Sequence, residues 1–243
     1  MFPIHDDNPT QTPPIVTVGL IVVCTLAFLW EVMLGSQGQK AVIYALGVIP
    51  ATLFGDKTLS PELAMVPPAT TLLTSMFLHG GWMHLFGNML YLWIFGNNVE
   101  EAMGHIKFIV FYVICGITAA LAQALPNPGS EIPMVGASGA IAGVLGAYLL
   151  LYPHARVLVV IPIGFILQTM RLPASIVLGF WFLLQFISNL LAPESGGGVA
   201  FSAHIGGFVA GVVLVSFFKR PGVPLFAPAH EGAESGFGVE RRR

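Results

Sequence analysis

The feature that most constrains this chain is a set of long apolar runs that carry almost no charge. Four runs approach the roughly 20 residues that a helix needs to cross a bilayer: Ile15 to Leu34, Leu72 to Gly96, Ile106 to Leu125, and Leu172 to Ala192. Only 9% of the 243 residues are charged, whereas about 25% are charged in an ordinary soluble domain. One aqueous core cannot hide so much apolar surface, so lipid must solvate part of it. The sequence therefore predicts an all-α polytopic membrane protein.

Two shorter apolar runs, Ser138 to Tyr152 and His204 to Phe218, would form helices only about 22 Å long at 1.5 Å per residue. Such helices fall short of a hydrocarbon layer about 30 Å thick unless neighbouring helices shelter them. With these two, the chain is predicted to form a bundle of six transmembrane helices. A further apolar stretch, Val157 to Leu167, is shorter still and contains Pro162, which favours an interfacial or re-entrant segment.

Basic residues lie mostly on one side of the predicted membrane. Six spans place both termini on the same side, and that side holds eight of the 10 Lys and Arg residues: Lys107, Arg156, Arg171, Lys219, Arg220 and Arg241 to Arg243. Lys40 and Lys57 fall on the other side. Because basic loops face the cytoplasm, both termini are expected there, and the second, fourth and sixth helices run inward. The acidic, Pro-rich opening segment is unlike a cleavable signal peptide, so the first helix is expected to be an anchor.

The chain is expected to hold one membrane domain, residues 15–219, after a cytoplasmic segment of residues 1–14. A flexible cytoplasmic tail, residues 220–243, is expected to follow, because it is rich in Gly, Pro, Glu and Arg. The longest connection, residues 35–71, is expected to fold on the outer membrane surface.

A net charge of −2 gives no electrostatic reason to expect nucleic-acid binding. Cys24 and Cys115 lie within apolar runs and are expected to be small buried hydrophobic residues.

Polar side chains inside these apolar spans are costly, so each is a candidate for function. His84 and Asn88 are four residues apart and share one face of the second helix. Ser138 opens the fourth helix and His204 opens the sixth, so all three groups enter from the outer side. A hydroxyl, an imidazole that can take its proton and further polar donors are the groups that serine acyl transfer requires. Glycines on the fourth and sixth helices would let Ser138 and His204 meet.

The expected oxyanion donors are the Ser138 backbone N–H and the side chains of His84 and Asn88. No aspartate lies within a span, so the sequence favours a Ser-His dyad over a triad. An aspartyl intramembrane protease needs two such aspartates, and a zinc protease needs His-Glu-x-x-His on a helix, which the chain lacks. No metal and no other cofactor is expected.

Each of these residues also has a structural interpretation. Ser138 among glycines could be only a packing residue, His204 could bind a neighbouring helix, and His84 and Asn88 could link helices. Their coincidence at one membrane depth on three helices favours the catalytic interpretation.

Other polar residues are left open or favour structure. His79 could hold the outer loop or meet substrate. Glu100 and Glu101 fall near the cytoplasmic surface, which favours a cap or an ion pair. Gln185 and Asn189 on the fifth helix could line a water path or link helices, and the structural role is slightly favoured.

Three motifs in order resemble the rhomboid family of intramembrane serine proteases. They are H-x-x-x-N at His84 and Asn88, G-x-S-G at Gly136 to Gly139, and A-H-x-x-G around His204. The FGNNVE segment ending at Glu100 is similar to the end of the second helix in the family, and the opening DDNP followed by a span resembles bacterial members. Together these features cover the chain to about Lys219.

The resemblance implies a six-helix rhomboid bundle with Ser138 as nucleophile and His204 as general base and then acid. It implies oxyanion contacts from His84, Asn88 and the Ser138 amide, and cleavage of transmembrane protein substrates without metal or nucleotide. Substrate would enter laterally from lipid past the fifth helix and the loop from Ala192 to Ser202. The implied location is a bacterial inner membrane, with the dyad open to the non-cytoplasmic side.

Two departures from the family pattern stand out. The first outer loop lacks the Trp-Arg pair that many members carry, so its anchoring must differ. One turn after Ser138, many relatives have an aromatic residue that packs on the catalytic imidazole, but this chain has Ala142. The imidazole must therefore be oriented by something else, for which close glycine packing is one candidate.

Two other functions compete with proteolysis. A catalytically silent rhomboid-like protein could bind membrane clients, although such proteins usually lose the Ser or the His. A transporter would place polar groups along the whole depth of several helices, whereas the intramembrane histidines here gather in the outer half. The protease ranks first, the client-binding protein second and the transporter a distant third.

Overall fold

The computed structural model describes residues 2–164, 166–191 and 199–228. Its elements, in chain order, are β1 (Phe2–Asp6), α1 (Ile15–Met33), α2 (Gly35–Leu46), α3 (Pro50–Leu53), α4 (Thr71–Thr74), α5 (Trp82–Met103), α6 (His105–Ala124), α7 (Ser138–Leu151), β2 (Arg156–Ile163), β3 (Ile166–Pro173), α8 (Ala174–Leu191) and α9 (Phe201–Phe218). Single 3-10 turns precede and follow α4, at Pro68–Thr70 and Ser75–Phe77.

The long helices α1 and α5 to α9 carry the fold. Within the described residues, four of them are long and apolar enough to cross a membrane, namely α1, α6, α8 and α9. Helix α7 is apolar but has only 14 residues, and α5 carries one histidine and three asparagines. The chain is therefore a largely helical integral membrane protein, and the six crossings stay a prediction.

The second predicted span differs most from the structure. It was expected over Leu72 to Gly96, but α5 begins only at Trp82 and continues to Met103. Gly80 and Gly81 precede the helix, and Gly81 has an extended backbone that no helix can include. At the other end the helix stops at Gly104, whose φ of +83° is a backbone conformation that favours glycine. Residues 72–81 instead form α4, a 3-10 turn and a loop.

A three-stranded antiparallel sheet is the element that the all-α expectation did not include. Its order is β1-β2-β3, and β2 and β3 form a hairpin. Val157 and Val159 on β2 are fully buried, which is the alternation that a strand packed on one face requires. The stretch expected to be an interfacial or re-entrant segment, Val157 to Leu167, lies in this hairpin, and its position relative to the membrane stays a prediction.

Glu100 and Glu101, at the end of α5, hold the chain that enters α1. Glu100 accepts the backbone N–H groups of Val16 at 2.9 Å and Thr17 at 2.7 Å. Glu101 accepts those of Gln11 at 2.8 Å and Thr12 at 2.9 Å. Glu100 thus caps free N–H groups in the first turn of α1, and Glu101 holds the segment just before it, so the structural role expected for this pair is confirmed.

The tail that follows α9 begins packed against the bundle. The backbone N–H of Phe226 donates to the Leu150 carbonyl at 2.7 Å, and that of Ala227 donates to Leu151 at 2.9 Å. Residues 229–243 of the expected flexible tail, including the arginines at 241–243, lie outside the described residues.

Helices α7 and α9 make the closest helix contact. A Cβ on Gly207 would collide with the Gly139 carbonyl oxygen, and one on Gly211 would collide with that of Gly143. The two backbones thus touch directly, as the small residues of the sequence predict.

The long connection between α1 and α5 is anchored without a Trp-Arg pair. Val48 and Met134 exchange both backbone hydrogen bonds, at 3.0 and 2.8 Å, and Lys57 forms an ion pair with Glu131. Met134 lies four residues before Ser138, so this bridge ties the connection to the segment that leads into α7.

Candidate active site

Ser138 and His204 meet at one end of the bundle. Ser138 is the first residue of α7, and His204 lies one turn into α9. The His204 Nε2 atom is 2.9 Å from the Ser138 Oγ atom, a hydrogen-bond distance. The side chains can approach because Gly139 and Gly207 bring the two backbones into contact just below them. An imidazole placed in this way can take the hydroxyl proton.

A glutamine on α8 contacts the other nitrogen of the imidazole. The His204 Nδ1 atom lies 2.8 Å from the Oε1 atom of Gln185. The Trp181 ring lies beside the imidazole, with centroids 5.8 Å apart and planes inclined by 37°. His204 is 9% exposed, so both contacts act on a buried ring.

His84 and Asn88 lie on α5 close to the segment that precedes Ser138. A Cβ built on Gly136 would stand 2.6 Å from His84 Nε2 and 3.7 Å from Asn88 Nδ2. Gly136 also has φ of +126°, which disfavours any other residue. The first glycine of the G-x-S-G motif therefore leaves room for the imidazole of His84 beside the start of α7.

His79 belongs to the framework of this site. It is fully buried, its Nδ1 faces the Phe77 carbonyl at 3.3 Å, and its Nε2 faces Asn88 Nδ2 at 3.0 Å. An Nδ1–H proton satisfies both contacts, because Nε2 then accepts from the amide of Asn88. Of the two roles left open for His79, the structure favours the structural one. The Asn88 amide keeps a second N–H that can donate elsewhere.

Glu31 on α1 completes this framework, and sequence reasoning missed it. Its side chain is fully buried, and its Oε1 accepts the backbone N–H of His79 at 3.2 Å. The available signal was a single acidic residue inside an otherwise apolar span.

A small cavity of about 30 Å³ lies beside Ser138. Its lining is mostly glycine and alanine, including Gly116, Ala119, Ala120 and Ala203. A cavity of this size can hold a water molecule, which hydrolysis of an acyl intermediate requires.

The structure brings together Ser138 and His204, and it groups His84 and Asn88 beside Gly136. From the sequence, Gln185 is expected to line a water path or link helices, and nothing in the pattern pairs it with His204. No role is predicted for Trp181. The signal that could have found both is their spacing of four residues, which places them on one face of α8.

Comparisons with known proteins identify the family of the chain. The rhomboid domain family matches residues 68–221. The chain is 36% identical over 150 residues to the rhomboid protease GluP of Bacillus subtilis, covering 62% of this chain and 26% of that protein. It is 29% identical over 201 residues to the mitochondrial rhomboid protein 1 of Saccharomyces cerevisiae, covering 74% and 54%. The chain thus matches about a quarter to a half of the length of these relatives. On the family match and this fold, the chain belongs to the rhomboid family.

Proposed function

We propose that this protein is an intramembrane serine protease that hydrolyses peptide bonds of transmembrane proteins. The observation that carries the proposal is the 2.9 Å contact between Ser138 Oγ and His204 Nε2 at one end of a membrane bundle. The rhomboid protease name of the Bacillus subtilis relative supports the same activity. In this proposal Ser138 is the nucleophile, and His204 is the general base and then the general acid.

The reaction follows from the positions of the groups. His204 Nε2 takes the proton of the Ser138 hydroxyl while the Oγ atom attacks the scissile carbonyl carbon. The oxygen of the tetrahedral intermediate gains negative charge, which the Ser138 backbone N–H, His84 and the free N–H of Asn88 can stabilise. The imidazolium then gives its proton to the leaving amine as the C–N bond breaks. Water, deprotonated by the same imidazole, hydrolyses the acyl ester and restores the hydroxyl.

The two ends of the bundle suggest the orientation of the reaction. The site lies where α7 and α9 begin, whereas β1, the Glu100 cap and Arg220 gather at the opposite end. Five basic residues, Lys107, Arg156, Arg171, Lys219 and Arg220, share that opposite end, which is expected to face the cytoplasm. Cleavage is therefore proposed on the non-cytoplasmic side of a bacterial inner membrane. Lateral entry past α8 is part of the proposal, and residues 192–198 of the loop after α8 lie outside the described residues.

The test is cleavage of a single-span substrate in proteoliposomes, together with labelling by a fluorophosphonate serine probe. Wild type should cut the substrate and label, Ser138→Ala should do neither, and His204→Ala should not cut. Ser216→Ala and His154→Ala, at exposed positions away from the site, are matched controls that should behave as wild type. Cleavage by Ser138→Ala would show that the nucleophile is wrongly assigned. A folded wild type that neither cuts nor labels would favour the client-binding alternative.

A further inference from the structure

Helix α8 presents one face to the catalytic imidazole, and this face offers both a hydrogen-bond acceptor and an aromatic ring. Trp181, Phe182, Gln185 and Asn189 are half-buried, whereas Leu183, Leu184, Phe186, Ile187 and Leu190 are exposed. We propose that Gln185 is a positioning residue, which fixes the tautomer and the direction of the His204 ring, and that Trp181 holds the ring from its side. This inference rests on the proposed protease function.

The first argument concerns the tautomer. A glutamine Oε1 atom can only accept a hydrogen bond, so the Nδ1 atom 2.8 Å away must carry the proton. A neutral imidazole has one N–H, and Nε2 is then left with a lone pair facing Ser138 Oγ. This is the only neutral tautomer in which His204 can take the serine proton. The same Nδ1–H bond persists when the ring becomes an imidazolium, so it also stabilises the charge that forms.

The second argument concerns the other sides of the ring. Ala142, one turn after Ser138, offers only a methyl group, and Gly139 and Gly207 offer no side chain. Within the described part of the chain, Ser138 and Gln185 are the polar side chains hydrogen-bonded to His204, and His84 on α5 is the titratable group nearby. Orientation at Nδ1 therefore depends on Gln185. A neutral amide also costs less to bury in a membrane than the carboxylate of a triad.

The third argument concerns how α8 is held in place. Phe182 stacks on Phe208 of α9 with centroids 4.5 Å apart, and Ser202 Oγ donates to Asn189 Oδ1 at 2.7 Å. These contacts lie on either side of Gln185 along α8. They set the distance between α8 and α9 and hence the position of the amide. A displacement of α8 from α9 would break the Nδ1 bond, so the competence of the dyad depends on the seating of this helix.

The test compares two variants of Gln185. Gln185→Met keeps the length of the side chain and removes the acceptor, whereas Gln185→Glu keeps an acceptor and adds charge. Gln168→Met, at an exposed glutamine of β3, is the matched control. Loss of an orienting partner typically costs about 10-fold to 100-fold in activity. We expect Gln185→Met to lower kcat by that factor with KM within about 2-fold of wild type. Probe labelling of Ser138 should slow in parallel.

The pH profile separates positioning from packing. A carboxylate at Nδ1 stabilises the imidazolium, so Gln185→Glu should retain cleavage and move the acidic limb of the kcat profile to higher pH. A packing role alone would not move that limb. A Gln185→Met enzyme with the kcat of wild type would overturn the inference, as would a Glu variant with an unmoved limb. A rise in KM alone would also overturn it and make Gln185 a substrate contact.

A second readout does not depend on proteolysis. Nitrogen-15 NMR of histidine-labelled protein distinguishes the Nδ1–H from the Nε2–H tautomer, and the His204 signals are those lost in His204→Ala. We expect an Nδ1–H tautomer in wild type and its loss or mixing in Gln185→Met. An Nε2–H tautomer in wild type would overturn the inference even if cleavage is observed. Failure of wild type to cleave while the Nδ1–H tautomer is present would instead count against the proposed function.

Discussion

The two helices that contact His204 from either side, α7 and α8, are packed in very different ways. Helix α7, which carries the proposed nucleophile, is buried at every position except Ser138, Leu149 and Leu150. Helix α8, which carries Gln185 and Trp181, is buried only at Ala174, Val177 and Leu178 among its 18 residues. Helix α7 touches α9 through glycine backbones. Helix α8 instead touches α9 through side chains, namely the rings of Phe182 and Phe208 and two hydrogen bonds, Asn189 with Ser202 and Gln185 with His204.

This difference in packing corresponds to two different requirements on the proposed site, a fixed distance and an adjustable orientation. The proposed nucleophile and base must keep one distance, and backbone contact between α7 and α9 fixes that distance because interfaces packed this closely have no room to slide. The side chains proposed to orient His204 lie on a helix whose contacts can be broken and remade at lower cost. The proposed catalytic pair is thus held rigidly, while its proposed orientation depends on an adjustable neighbour.

The largest effect is expected from breaking the glycine contact. Gly211→Ala places a methyl group against the Gly143 carbonyl, so α9 must move away from α7. Overpacking at a backbone contact that cannot yield should lower the free energy of unfolding by more than about 3 kcal/mol. Cleavage should be lost as Ser138 and His204 separate. Thermal unfolding in detergent and proteoliposome cleavage measure the two effects.

Gly179→Ala on α8 is the matched control. A Cβ at Gly179 would meet nothing within 4 Å, so its stability should be unchanged or higher by up to about 1 kcal/mol through helix propensity. Equal losses for the two variants would contradict the distinction between a rigid α7–α9 pair and an adjustable α8.

The second effect concerns the far end of α7, where Asp6 of β1 accepts a hydrogen bond from the Tyr148 hydroxyl at 2.6 Å. Burial raises the pKa of Asp6 to about 6, although the Tyr148 bond opposes the shift. The folded state therefore binds a proton that the unfolded chain releases near pH 4. Stability should fall as the pH rises from about 4 to about 6, by at most about 3 kcal/mol, and then level off.

Asp6→Asn should remove this pH dependence, because the amide stays neutral and keeps an oxygen for Tyr148. At pH 7 the variant should be more stable than wild type, and at pH 4 the two should agree. Unfolding curves at the two pH values measure this, with the exposed Asp56→Asn as a control that should follow wild type. A stability that rises from pH 4 to 6 would contradict the expected sign.

The motif residues could be predicted because their chemistry restricts them. His84 and Asn88 share a helix face by spacing alone, and a serine and a histidine at the starts of two helices that run in the same direction lie at the same end of the bundle. The close approach of α7 and α9 could also be predicted, since only glycines permit it.

Other features depend on contacts between distant segments. The hairpin of β2 and β3 was missed because Pro162 and the short apolar run resemble a membrane segment, and its pairing partner β1 lies at the other end of the chain. The role of Gln185 depends on the rotation of α8 about its axis, which packing against α9 decides. Their spacing of four residues predicts that Trp181 and Gln185 share one face of α8. It does not predict that this face is turned toward His204.

A third prediction tests whether damage far from α7 and α9 spares the dyad. Glu100→Gln replaces one of the two oxygens that cap α1 and also changes the contact with His105 Nδ1 at 2.6 Å. We expect a loss of about 2 kcal/mol in unfolding free energy, with cleavage per folded molecule near that of wild type.

Glu101→Gln is the control for this variant, because one oxygen of Glu101 accepts the hydrogen bonds from Gln11 and Thr12 and the amide keeps an oxygen. The loss of unfolding free energy in Glu101→Gln should be smaller than that in Glu100→Gln. A fall in kcat per folded molecule in Glu100→Gln would show that the bundle transmits damage to the dyad, which the rigid pair should resist.

The smallest effect is expected on α8 itself. Segments with few buried contacts open more readily, so amides of α8 should exchange hydrogen faster than those of α7 and α9 in detergent micelles. Phe182→Ala removes the ring that stacks on Phe208, and such pairs contribute about 1 kcal/mol. Exchange in α8 should therefore accelerate by about 5-fold with α7 unchanged, whereas Phe180→Ala, at an exposed ring of the same helix, should not alter it. Equal protection of α7 and α8 in wild type would show that α8 is as firmly held as the nucleophile helix, and Gln185 would then orient His204 from a fixed position rather than an adjustable one.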